Sequence, residues 1–449
     1  VEGGNTIREV LHTYLQKNNL SYVKFHQISG VNTGTLSRLI QGSKPISLRQ
    51  LEQITRGMEL PEDALFDLYV EECIEFSITF RRIEPFILRC AELDRLDCLE
   101  RLVGRLLDKL RNVHLLFVVA EKLFDLNHTE AAALLYSSVS EAERYQHSER
   151  LAICRYRLFQ ISLSNNVEDN LRAADVFGHY VNRLEESYQV EALRELINVM
   201  MTGGKWKQVD QLAEQMLRVA CIQYERPSGE RQPKEPYYSY ILYGWLMRGT
   251  VSAELKDFEG AMQYVSLYAN GEACIHERDE VALWYIQQFN EWAMANTLLY
   301  RLLSGEVAVL EEYADFVAER PEEVSVALGH IMKTANRFNF EIDHILERFS
   351  AHIPFQVVQK KRLYYKSPIL AERQAQFFAE LGKYKSKKNP ATAIKIFLTG
   401  LELSVKINSV QNIANYMTLF ELHREWATVE EKGQFRQLAR EVDRLNAED

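Results

Sequence analysis

From about residue 75 onward the chain repeats one pattern: apolar residues at helical spacing over roughly 14–25 residues, followed by a short polar break. The breaks are Asp125-Leu-Asn-His128, Ser164-Asn-Asn166, Thr202-Gly-Gly204, Lys256-Asp257, Ser304-Gly305, Arg320-Pro321, Lys387-Lys-Asn-Pro390 and Asn408-Ser409. No run alternates at period two, so there is nothing from which to build a sheet. A helix with one apolar stripe must bury it against a neighbour, and short breaks make successive helices neighbours. The pattern therefore predicts an all-α fold in which residues 75–449 form an α-solenoid of seven or eight stacked helical hairpins.

The clearest hairpin runs from Tyr237 to Ile275. Tyr240, Gly244, Trp245 and Ala253 lie on a first helix, Asp257-Phe258 make the turn, and Ala261, Tyr264 and Leu267 lie on a second. This unit resembles a tetratricopeptide repeat, which implies small residues where helices cross and aromatics in the gaps. Weaker copies lie at Ala371 to Ile407 (Phe377, Leu381, Tyr384, Pro390, Ala393, Ile396, Phe397) and at Leu115 to Tyr145 (Ala120, Leu126, Ala131, Leu134, Tyr136). One interruption differs from the rest. Residues 224–236 hold three prolines and one glycine among polar residues, and read as an exposed connector or hinge rather than a binding loop.

Ahead of this region, Ser21 to Gly42 packs two short helical patterns around a Gly30-Val31-Asn32 corner. Phe25 and Ile28 are expected on the apolar face of the first, and Leu36 and Leu39 on that of the second. Gly30 permits the tight turn and Asn32 caps the second helix. That is a helix-turn-helix signature. Thr33, Thr35, Ser37 and Arg38 fall where a recognition helix meets base edges and phosphates, with Lys24 and Lys44 beside them. Flanking runs (Ile7, Val10, Leu11, Tyr14, Leu15, then Leu48, Leu51, Ile54) close a small core, and Pro61 suits the first turn of a further helix.

Over residues 5–72 the order resembles the five-helix DNA-binding domain of the Xre and lambda-repressor family, carried by Ser21, Gly30-Val31-Asn32, Thr35, Ser37-Arg38-Leu39, Gly42, Ser47-Leu48, Leu51 and Ile54. Two positions depart from it. His26 stands where the family usually has Ala packing the motif helices together, which bears on the interhelical angle. Tyr22 replaces a frequent phosphate-binding Gln.

Charge agrees only locally, because the whole chain carries a formal −10. From Lys17 to Arg56 the ionised residues are Lys17, Lys24, Arg38, Lys44, Arg49 and Arg56 against the single acid Glu52, a local +5. A basic face on an acidic body suits a specific phosphate binder. With 449 residues and 47% hydrophobic content, at least two domains are expected. No apolar run approaches the roughly 18 residues needed to span a bilayer, and no secretory signal pattern opens the chain, so the expectation is a soluble, cytoplasmic protein without membrane contact. Val1-Glu-Gly-Gly reads as an expression scar or trimmed start and is set aside. Cys73, Cys90, Cys98, Cys154, Cys221 and Cys274 lack metal-ligand spacing and read as reduced packing residues. No phosphate-binding Gly loop, zinc-binding His pair or nucleophile elbow appears, and the acid pairs Glu71-Glu72, Glu185-Glu186, Glu322-Glu323 and Glu430-Glu431 read as solvated charge. No catalytic residue, metal ligand or cofactor is assigned; the reading is not that of an enzyme.

A helix-turn-helix joined to a tetratricopeptide-like solenoid resembles the peptide-sensing RRNPP regulators of Gram-positive bacteria and their phages, including arbitrium-type receptors. That resemblance implies quorum-sensing transcription regulation: a homodimer binds a two-fold double-stranded DNA operator, and a short linear signalling peptide binds in a concave groove. An extended peptide brings unpaired backbone groups that Asn and Gln amides satisfy, since each donates and accepts. Candidate clamps are Gln287, Asn290 and Asn296 on one helix, Arg194 with Asn198 on another, and Asn336-Arg337 ending a third. Tyr240 and Tyr243 are candidate pocket walls, and Arg194 or Arg337 suits a terminal carboxylate. Trp245, Trp284 and Trp292 read as repeat core rather than ligand cage. The apolar faces at Ile413, Tyr416, Leu419, Phe420 and then Phe435, Leu438, Val442 need a cap or a partner and are read as part of the dimer interface. The alternative is a helix-turn-helix regulator or scaffold whose solenoid binds a protein partner, with no peptide pheromone.

Overall fold

A computed structural model describes residues 6–76, 79–108, 111–321, 323–353 and 367–447, so that Val1-Glu-Gly-Gly and Glu322 lie outside the described residues. Among these residues there are 24 α-helices and no strand, and the all-α expectation is met. Each of the eight polar breaks falls between two helices. The chain forms two compact units, Val1–Ile161 and Ser162–Asp449.

The first unit holds α1 (Ile7–Lys17), α2 (Tyr22–Ser29), α3 (Thr33–Ile40), α4 (Leu48–Gly57), α5 (Phe66–Glu75), α6 (Phe80–Glu92), α7 (Leu96–Leu106), α8 (Arg111–Asp125), α9 (Thr129–Ala142) and α10 (Glu149–Ser162). The early helices start on side-chain caps. The side chains of Thr6, Ser21 and Asn32 accept from backbone N–H groups of the following turn, and Ser47 with Gln50 forms a reciprocal capping box. A single apolar core runs from Ile7 through to Cys154. The residue-72 edge read from the sequence therefore lies inside α5, and packing continues past it: Phe66 and Tyr69 meet the ring of Phe86 in α6 edge-on, at 5.0 and 4.8 Å.

Three local expectations are corrected here. Ile28 is 52% exposed, because the buried positions of α2 are Phe25 and, one turn on, Ser29. Ser29 is the small residue at the close approach: a Cβ on Gly57 of α4 would stand 2.6 Å from its Cβ. His26 lies exposed at the α2–α3 corner, its Nδ1 3.1 Å from the Val31 carbonyl oxygen. Pro61 precedes a turn, and α5 begins only at Phe66. Glu72 is buried rather than solvated. Its carboxylate accepts from both terminal nitrogens of Arg8 and from the Ile46 backbone N–H at 2.9 Å, while the Tyr69 hydroxyl donates to the Ile46 carbonyl.

The second unit holds α11 (Val167–Gly178), α12 (Glu186–Thr202), α13 (Trp206–Glu225), α14 (Tyr237–Glu254), α15 (Phe258–Ala269), the short α16 (Gly271–Cys274), α17 (Glu280–Ser304), α18 (Leu310–Ala318), α19 (Val324–Phe338), α20 (Asp343–Arg348), α21 (Ser367–Ser386), α22 (Pro390–Lys406), α23 (Val410–Leu422) and α24 (Val429–Ala447). Neighbouring helices pack closely where one carries glycine. A Cβ on Gly244 of α14 would stand 2.5 Å from Leu217 of α13, and one on Gly400 of α22 would stand 2.1 Å from the Tyr416 ring of α23. The succession bends back on itself: α21 packs against α12, and the Val167 N–H at the start of α11 donates to the Ile407 carbonyl after α22 at 2.8 Å. The apolar faces of α23 and α24, expected to need a partner, are covered within the chain. Ile413, Tyr416, Leu419, Phe420, Phe435 and Leu438 share one core with α22, the Phe420 and Phe435 rings stacking at 4.1 Å.

Candidate ligand cavity and basic face

Inside the second unit is a cavity of about 390 Å³, within the usual range for small-ligand and cofactor sites. Its wall is one face from each of several helices. α12 contributes Asn198 and Met201, α14 Tyr243, Leu246, Met247 and Thr250, α17 Trp284, Gln288, Trp292 and Asn296, α19 Val326, Ala327 and His330, and α21 Arg373. α18 adds Tyr313, and no residue of α13 or α15 is among the lining residues.

Three amides meet this space with bonding capacity to spare. Asn198 Oδ1 accepts from the Tyr243 hydroxyl at 2.7 Å, and among the described residues its Nδ2 has no acceptor. Asn296 Nδ2 donates to the Tyr268 hydroxyl at 2.9 Å, leaving its carbonyl oxygen. Gln288 bonds to nothing among the described residues. One donor-rich, one acceptor-rich and one complete amide can together satisfy the N–H and C=O groups of a ligand backbone. Charge surrounds them: the Trp292 Nε1–H donates to Glu323 at 3.1 Å, and Lys333 pairs with Glu254 at 3.0 Å. Enclosure in the wall pushes the His330 imidazole down to about 4, with Lys333 and Arg373 acting in the same direction and Glu254 against them. At neutral pH His330 faces the cavity uncharged.

Of the nine residues proposed for peptide binding, three line the cavity: Asn198, Tyr243 and Asn296. Arg194 lies one turn from Asn198, its guanidinium 5.7 and 5.8 Å from the Tyr240 and Tyr243 ring centres. Tyr240 is 1% exposed and belongs to the core, where burial raises its phenol well above the ordinary value. Gln287 points outward and donates to Glu291 at 3.1 Å; Asn290 does not line the cavity. Asn336 is occupied by the backbone and carboxylate of Glu380, and Arg337 reaches the Leu303 carbonyl. The residues missed on α17 carried a readable signal. Trp284, Gln288, Trp292 and Asn296 recur every four residues, whereas Asn290 to Asn296 spans six and crosses to another face. Trp284 and Trp292, read from sequence as core, are cavity wall.

Residues 226–236 form a largely exposed connector between α13 and α14, and it is tied to its neighbours. Arg231 Nη2 donates to the buried carboxylate of Glu191 at 2.8 Å, the Lys234 backbone N–H donates to the same oxygen at 2.7 Å, and Tyr285 donates to Glu235. Gly229 stands at φ 82°, a conformation only glycine adopts without strain, against the Glu185 carboxylate.

In the first unit, α2 and α3 join through Gly30 at φ 75° and the Asn32 cap, whose Oδ1 accepts from the Gly34 N–H at 2.9 Å. Lys24, Asn32, Arg38 and Lys44 are exposed, and Thr33, Thr35 and Ser37 half-exposed. Arg38 Nε donates to the Gly34 carbonyl of its own helix at 3.0 Å. Farther along, Asp67, Asp97 and Cys98 bring three potential metal-ligating atoms within 4.8 Å of one another. Arg95 donates to both acids and Arg101 to Asp67, so guanidinium already neutralises the cluster; burial raises the Cys98 thiol to about 11. Such a set disfavours a cation. No helix among the described residues is long and apolar enough to cross a membrane. No protein-family model and no curated protein sequence matches this chain.

Proposed function

We propose that this chain is a DNA-binding transcriptional regulator controlled by a short peptide. The first unit supplies an Xre-like helix-turn-helix in which α3 is the recognition helix, and the second is a tetratricopeptide-like solenoid whose inner face receives the peptide. The observation that carries the reading is the cavity wall. Asn198, Gln288 and Asn296 present amide groups from α12 and α17 between aromatic side chains, the chemistry that clamps an extended backbone without reading every side chain. The exposed basic and hydroxyl-bearing positions on α2 and α3 supply the nucleic-acid half of the reading. A homodimer on a two-fold operator belongs to the same proposal by resemblance.

The other reading is a regulator or scaffold whose solenoid binds a protein partner, with no peptide pheromone. The test is calorimetric titration with fragments of about 5–10 residues from small secreted products encoded beside the gene, together with operator binding in the presence and absence of each fragment. Saturable binding, lost in Asn198→Ala with Asn296→Ala, supports the peptide reading. Failure of every fragment in a folded dimer shifts it to a larger partner.

A further inference from the structure

The cavity-lining faces do not stop at the cavity. On α12, Ser187, Glu191, Arg194, Asn198 and Met201 share one helical face, and on α14 Ser239 lies one turn before Tyr243 on the face that lines the cavity. Both faces run toward the segment 226–236. There the polar groups outnumber their bonds. Ser187, Ser239, Glu191 and Tyr237 are 1%, 1%, 5% and 7% exposed, yet among the described residues Ser187 Oγ, Ser239 Oγ, Glu191 Oε2, the Tyr237 hydroxyl and Arg231 Nη1 have no hydrogen-bond partner. The group that fills the space is the guanidinium of Arg231. It donates to Glu191 at 2.8 Å and lies 3.7 Å from the centre of the Tyr188 ring. A carboxylate below and an aromatic face above is the arrangement that selects a guanidinium or ammonium group.

We propose that this chamber around Glu191 is a subsite of the groove for a cationic side chain, arginine or lysine, of the bound peptide. In the free protein Arg231 occupies it in the ligand's place, and residues 226–236 act as a displaceable strap. The proposal rests on the peptide reading and adds a specificity to it. Glu191 and Asn198 are seven residues apart, about 10 Å along the helix, a distance that about three residues of extended chain cover. A peptide clamped at Asn198 can therefore place a basic side chain beside Glu191. The Arg231 side chain is 26% exposed and the segment that carries it is largely exposed, so the strap itself lies open to solvent. The unpartnered hydroxyls and the second carboxylate oxygen are explained as groups that a better-fitting cation with its backbone satisfies.

The test uses the full chain and two small probes, Nα-acetyl-arginine amide and its uncharged isostere Nα-acetyl-citrulline amide. In Arg231→Ala the arginine probe is expected to bind saturably and raise the melting temperature, with the citrulline probe about tenfold weaker or silent. Wild type should respond to neither at the same concentrations, and Glu191→Gln added to Arg231→Ala should remove the response. Equal response to both probes, no response in Arg231→Ala, or a response that survives Glu191→Gln overturns the subsite. If Arg231→Ala does not fold, the same probes are read on Arg231→Gln, which keeps the stem of the side chain. The two readings fail separately. A groove peptide that binds equally well with its arginine changed to citrulline removes the subsite and leaves the peptide receptor standing. Probe binding without any groove peptide does the reverse.

Discussion

At the scale of single residues, three side chains carry distinct, measurable weight. Among the described residues only the Gly34 carbonyl holds the Arg38 side chain, so it is available to a groove edge or phosphate. If α3 reads DNA, Arg38→Ala weakens specific binding by about 1–3 kcal/mol and relaxes preference at one base position, which a binding-site selection assay reports. Glu72 is different in kind, because its loss leaves the Arg8 guanidinium buried and the Ile46 N–H without its acceptor. Glu72→Ala should cost about 3 kcal/mol in urea unfolding of the protein, far more than an exposed pair such as Lys406–Glu402. His330 makes stability depend on pH. Its folded pKa lies near 4 against an unfolded value near 6.5, so the unfolded chain binds the extra proton. The contribution is fully present above about pH 6.5 and is lost as the pH falls toward 4. Urea midpoints measured at pH 7 and pH 5 should differ in that direction, and His330→Gln should flatten the difference.

At the scale of the helix, the sequence was most legible where one rule governs locally. Gly30 and Asn32 fix the α2–α3 corner through a positive φ and a side-chain cap, both chemical properties of those residues alone. The eight polar breaks were equally readable, since a helix cannot continue through Gly-Gly or Asn-Pro in solvent. Faces were harder. Its apolar side chain points to Ile28 as an inward residue, but the core is set by what α4 offers opposite, and there Gly57 accepts only the small Ser29. The three-residue spacing of Gln287 and Asn290 marks one face of α17, while the cavity selects the four-residue stripe through the tryptophans. Prolines and charges mark segment 226–236 as a loop, which it is; its anchors lie on α12 and α17, too distant in sequence for any local pattern to reveal. Helix crossings yield a paired prediction. Gly400→Ala forces a methyl into the Tyr416 ring and should destabilise by about 1–3 kcal/mol, whereas Gly104→Ala meets nothing within 4 Å and should stabilise by about 0.5–1 kcal/mol through helix propensity alone. Thermal melts of the two variants distinguish packing from propensity.

At the scale of the whole molecule, the proposed regulation by peptide is a statement about linkage. If a peptide weakens operator affinity tenfold, about 1.4 kcal/mol, then saturating operator DNA must weaken peptide affinity tenfold as well. Titrating peptide with and without operator measures both halves of that cycle, and unequal factors would mean that the two ligands are not coupled through one equilibrium. The Val167–Ile407 bond adds a consequence for how the second unit forms. Stacked helices that touch only their neighbours can add or shed units one at a time from either end. Here residues 240 positions apart must meet before the succession is complete, and the chain entropy of closing so long a span is lost before that contact returns anything. The α11 join is therefore expected to assemble late and to gate unravelling from that end: hydrogen exchange across α11 and α22 should rise and fall together, as a clasp does, rather than fade gradually outward as fraying termini do.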